Sequence, residues 1–141
     1  MNLHNFIDKE VHENYWERDY NCATNILMLL SEIKDIKLDK QVLYSVSGLH
    51  GVDPMIAQCG LLSGGLMFLG IYAREKNIPN SQLSKYYYDY SKYFQRKFGD
   101  TDCQNLNGYS KSLGLKPYAC EDLTKDVVEF TINFIEKNIR N

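Results

Sequence analysis

Leu83, Tyr87, Tyr90, Phe94 and Phe98 stand four, three, four and four residues apart. That spacing lays five large apolar side chains along one stripe of an α-helix, and the same period returns along the chain. Leu3, Ile7, Val11 and Tyr15 mark a first helix, expected to be mostly exposed. Cys22, Ile26, Leu29 and Ile33 mark a second, capped by Asp19 and ending near Lys37. Val42, Leu43, Val46 and Leu49 form the inward face of a third behind Asp39, broken by "GLHG" at 48–51. Asp53 followed by Pro54 opens a fourth that runs to about Lys76, with the cap before the proline and the proline at the first helical position. "NIPNS" stops it, Asn80 or Ser81 caps the fifth, and Gly99 ends that one. Asp100 or Thr101 opens a short helix with Cys103 and Leu106, and residues 108–117 form a glycine-bearing loop. The last helix carries Cys120, Leu123, Val127, Phe130 and Phe134. No strand-like alternation is sustained. The pattern predicts an all-α, single-domain bundle of five to six helices over residues 1–141, around a buried central helix at about 54–76.

Composition sets the class. A chain of 141 residues can bury one sizeable core, and its three prolines and nine glycines leave little for long disordered linkers. A formal net charge of −2 without a Lys/Arg cluster lacks the electrostatic footprint of a nucleic-acid binder. The N-terminal "MNLHNFIDKEVHENYWERD" alternates acids and bases and has no apolar signal-peptide region, which points to the cytoplasm. Pro54 to Ala73 is uncharged for 20 residues, long enough to span a bilayer. Gln58, Ser63 and four glycines within it, flanked by amphipathic helices, fit a helix buried in a bundle instead, so no membrane association is expected.

The four cysteines, Cys22, Cys59, Cys103 and Cys120, share a position. Each falls in the first or second turn of an expected helix, where unpaired N–H groups and the positive end of the helix dipole gather. That field favours thiolate over thiol and suits a metal–thiolate cluster of net negative charge. Cys59 is therefore expected to be held as a thiolate, and the four sulfurs are expected to converge. The competing reading is four small residues filling core gaps. There is no CxxC pair, and intervening gaps of 36, 43 and 16 residues match no zinc-finger or ferredoxin signature. Any joint site must be assembled by the fold. Gly60 and Gly64 leave one face of the Cys59 helix bare, open to another helix backbone or to an inorganic group.

These segments resemble a family named C-GCAxxG-C-C, described as redox-active proteins. The lone first cysteine matches "YNCA" at Tyr20 to Ala23, and the block matches "QCGLLSGGLMFLG" at Gln58 to Gly70. "FGDTDCQNL" at Phe98 to Leu106 and "ACEDLTKDVVEF" at Ala119 to Phe130 supply the last two cysteines. Leu61 stands where the block's small alanine belongs, which bears on packing beside Cys59 and not on the thiol. The resemblance implies an all-helical fold with redox or iron–sulfur chemistry. No CxxCH is present, so covalent haem is not expected.

Three chemistries fit four dispersed thiols. The first is an iron–sulfur cluster held by Cys22, Cys59, Cys103 and Cys120 for electron transfer. The second is metal-free thiol–disulfide oxidoreduction, which needs only two of them. The third is a structural zinc site, held by all four cysteines, in an interaction module. The redox partner is not readable from the residues, and a homodimer is compatible with them. His50 is either a loop residue bonded to backbone or a group beside the site. His4 and His12 read as solvated surface. Tyr87, Tyr90 and Phe94 read as core and not as a stacking platform. No Gly-rich phosphate loop, Ser/His/Asp set or HExxH occurs.

Overall fold

The structure, a computed structural model, describes residues 2–49, 58–106 and 120–139. His50, Gly51, Asp53, Pro54 and the expected 108–117 loop lie outside the described residues. Those residues form α1 (Leu3–Trp16), α2 (Cys22–Ile33), α3 (Lys40–Val46), α4 (Gly60–Glu75), α5 (Asn80–Phe98), the single turn α6 (Cys103–Leu106) and α7 (Glu121–Asn138). The all-α bundle expected from the period is the observed fold.

At its centre α4 lies against α2, and α5 and α7 also pack on α4. The approach of α2 and α4 explains the bare face. A Cβ on Gly64 would meet Ile26 Cγ2 at 2.5 Å and the Ala23 carbonyl oxygen at 2.7 Å. The second of these is backbone and cannot turn away, so only glycine lets the two helices come this close. One residue on, Gly65 makes the notch into which the Tyr90 hydroxyl fits. Helix packing therefore fills the space at Gly64. Leu61, the departure from the family's small residue, is fully buried.

Several boundaries differ from expectation. Asp19 does not cap α2; it turns left-handed at φ 56°, and Asn21 takes the cap, its Oδ1 accepting from Thr24 N–H at 2.9 Å. The helix ends at Ile33 and not near Lys37, because Asp35 is again left-handed at φ 56°. The expected exposed first helix has a fully buried stripe of Ile7, Val11 and Tyr15, since α1 docks on both α2 and α7. Leu49 lies past the end of α3 and is exposed. Pro79 holds the N-cap position of α5 without a side-chain bond, where Asn80 or Ser81 was expected. The start of α4 is at Gly60, not Pro54: Gln58 and Cys59 are extended, and Gln58 forms an isolated bridge with Asp102. Among the described residues no helix is long and apolar enough to cross a membrane.

Candidate functional site

Each cysteine sits at a helix start. Cys22 is the first residue of α2, directly after its Asn21 cap. Cys59 is the N-cap of α4, Cys103 the first residue of α6, and Cys120 the N-cap of α7. All four are thiols outside any disulfide.

Local bonding fixes two of them as a unit. Gln58 and Asp102 form an isolated antiparallel bridge, and Cys59 N–H donates to the Thr101 carbonyl at 2.8 Å. Asp100 Oδ1 accepts from the N–H groups of Thr101 and Asp102 at 2.7 and 2.9 Å, which sets the turn that offers this carbonyl. Side chains alternate along extended backbone, so Cys59 points to the side opposite Gln58, and Cys103 follows the bridge directly as the first residue of α6. Burial agrees: Gln58 is exposed and Asp102 half-buried, while Cys59 and Cys103 are 4% and 9% exposed.

Cys120 is tied to α1 at two levels. Inside, the Tyr15 hydroxyl lies 2.6 Å from Thr124 Oγ1, and Thr124 Oγ1 donates to the Cys120 carbonyl at 2.8 Å. At the surface, Trp16 Nε1 donates to Glu121 Oε1 at 2.9 Å, and His12 stacks on Trp16 with its Nδ1 3.1 Å from Glu121 Oε2. His4 likewise meets Glu129, at 2.8 Å. Both histidines are exposed, as expected, yet each joins α1 to α7.

The thiols share one neighbourhood. Burial pushes the Cys22 thiol well up, and the charges of Cys59, Cys120 and Cys103 push it further. Burial raises Cys59 from 9.0 to about 12, against the opposing pull of the Leu61 and Leu62 amides, with Cys120 and Cys103 adding to the rise. This corrects the expectation of a Cys59 thiolate: the amide field of α4 is present, and desolvation outweighs it. In the metal-free chain Cys59 is a neutral thiol at pH 7. Tyr15, fully buried, is raised by burial and then by Cys22, with Cys120 and Cys59 contributing. Among the described residues, no three Cys, His, Asp or Glu side chains stand close enough together to grip a single metal ion.

The model of the family described as "Putative redox-active protein (C_GCAxxG_C_C)" matches residues 20–134. The chain belongs to this family. Within the C_GCAxxG_C_C stretch lie all four cysteines, together with Thr124, Tyr90 and Thr131, and Tyr15 lies just before it. No match was found among curated proteins or among solved structures. Two features of this C_GCAxxG_C_C chain escaped the sequence reading. Thr124 stands four residues after Cys120, the spacing at which a threonine hydroxyl reaches back to a helix carbonyl, so this partner was detectable. The spacing marks Tyr15 only as one member of an apolar stripe, with no signal for its hydroxyl's partner.

Proposed function

We propose that Cys22, Cys59, Cys103 and Cys120 together hold an iron–sulfur cluster for electron transfer. The observation that carries the reading is the gathering of four thiols from four different helix starts into one electrostatic neighbourhood. Four thiolates are the usual ligand set of such clusters. The donors fit in other ways too. A thiolate-bound cluster is negative, and the N-termini of α2, α4 and α7 oppose that charge. Cys59 and Cys103 are shielded from water, which limits side reactions of a redox group. A protonated Cys59 is a poor attacking thiol, whereas a metal takes the proton's place outright. When bound, the cluster supplies one-electron chemistry.

The reading as a four-cysteine zinc site is weaker, because no three donors among the described residues close on a single ion. That same observation favours metal-free thiol–disulfide exchange as the second reading, with the half-buried Cys22 or Cys120 as the exchanging thiol. Iron and acid-labile sulfide measured on full-length protein purified without air decide between them. The expected result is both elements bound, and both lost in Cys59→Ser with helicity kept. Iron-free protein, or Cys59→Ser that loads fully, overturns the cluster.

A further inference from the structure

We infer that Tyr15 is a positioning residue of the thiol centre, acting on Cys120 through Thr124. A threonine hydroxyl has one proton, and a carbonyl can only accept. Thr124 gives its proton to the Cys120 carbonyl at 2.8 Å, so the Tyr15 hydroxyl, 2.6 Å from Thr124 Oγ1, is the donor to Thr124. Two donations in series thus run from α1 to the residue that starts α7. Both Tyr15 and Thr124 are 0% exposed, so the bond between their hydroxyls is closed to water, while the Cys120 carbonyl lies at the half-buried end of the relay. The same tyrosine lies within electrostatic reach of Cys22 and Cys59. One buried hydroxyl therefore both anchors Cys120 and borders Cys22 and Cys59.

The molecule carries its own control. Tyr90 lies 2.7 Å from Thr131 Oγ1, and Thr131 donates to the Val127 carbonyl at 2.7 Å. This chain has the same chemistry and an equally buried tyrosine–threonine pair, and it ends inside α7 and not on a cysteine. Loss of either tyrosine hydroxyl removes a comparable bond. Only loss of the first should be felt at Cys120.

The inference rests on the reading of Cys120 as a member of the centre, and its test is independent of metal loading. The rate of alkylation at Cys120 by iodoacetamide is followed by mass spectrometry on the full-length, metal-free chain. Tyr15→Phe and Thr124→Val are expected to raise it about tenfold, the scale of one net hydrogen bond. Thr124→Ser, which keeps the hydroxyl, should stay at the parental rate, as should Tyr90→Phe and Thr131→Val. If Tyr15→Phe does not fold, Thr124→Val against Thr124→Ser decides. An unchanged Cys120 rate in the first pair, or an equal rise in both pairs, overturns the inference. Iron analysis of the anaerobically purified parent is a separate arm. Failure there removes the cluster and leaves the alkylation result standing.

Discussion

The start and the middle of α7 use the same device for different purposes. Near its start, Thr124 receives Tyr15 from α1 and holds the carbonyl of Cys120. Seven residues on, Thr131 receives Tyr90 from α5 and holds the carbonyl of Val127. The second pair sits in an aromatic cluster. The Tyr90 ring lies 5.2 Å from Phe130 and 5.3 Å from Phe134, and Phe98 lies 4.9 Å from Phe94 and 5.5 Å from Phe130. Here the tyrosine's ring contributes packing, and its hydroxyl needs only to be satisfied. Near the start of α7 the Tyr15 hydroxyl borders Cys22, Cys59 and Cys120, and its hydrogen bond leads to the residue that caps the helix. The Tyr90 pair is embedded in aromatic packing, and the Tyr15 pair ends on a cysteine of the proposed centre.

The sharpest way to break that comparison is to damage the aromatic cluster alone. Phe94 is fully buried, and truncating it leaves a cavity among Tyr90, Phe98 and Phe130. Phe94→Ala should cost about 3–5 kcal/mol in chemical denaturation. Under native conditions its four thiols should keep their parental order of alkylation rates. If the order changes, the two regions are coupled and the comparison fails.

The aromatic cluster was the more legible in sequence. The stripe of Leu83, Tyr87, Tyr90, Phe94 and Phe98 needs only the helical period to be read; Leu83, Tyr90 and Phe94 are buried, and Tyr87 and Phe98 are half-buried at its edge. The position of each cysteine at a helix start was legible for the same reason. What the sequence could not show depends on partners distant along the chain. The extended backbone at Cys59 exists because Thr101 offers a carbonyl, and no local signal near Cys59 announces it. Asp19 and Asn21 are both good cap residues two positions apart, and tertiary context selects the second. The protonation of Cys59 is a contest between a local field and burial depth. Only the field follows from its place at a helix start.

That contest gives the next effect. Cys59 has a folded-state pKa of about 12 against an ordinary 9.0, and burial is the main cause. Below pH 9 the thiol is neutral in both folded and unfolded chains. Above it the unfolded chain releases a proton that the folded chain retains, so stability falls as pH rises through the window from 9 to about 12. Each unit crossed costs about 1.4 kcal/mol from a single fully shifted group. Cys22, Tyr15 and Tyr90 are raised as well and push the same way at high pH. Denaturation of the metal-free chain at pH 8 and pH 10 should show the loss, and Cys59→Ser should lessen it. A Cys59→Ser chain with the parental slope would mean that Cys59 ionises alike in both states.

The smallest effect is also the most local. Asn21 Oδ1 accepts from Thr24 N–H, and Asn21 Nδ2 donates to the Ser47 carbonyl at the end of α3. One side chain thus starts the helix that carries Cys22 and ties it to its neighbour. Asn21→Ala should cost about 1 kcal/mol, the usual worth of a helix cap. The loss falls on the turn that presents Cys22. The first turn of α2 should fray, and Cys22 should alkylate faster while Cys59, held on its own helix by the bond to Thr101, keeps its rate. Asn21→Asp separates the two bonds, because a carboxylate still caps Thr24 but cannot donate to Ser47. If Asn21→Asp restores the parental Cys22 rate, the cap alone positions the thiol. If it reacts like Asn21→Ala, the tie to α3 does. Equal acceleration at all four cysteines would instead mean that α2 opens together with the whole bundle, and that the thiol region has no local stability of its own.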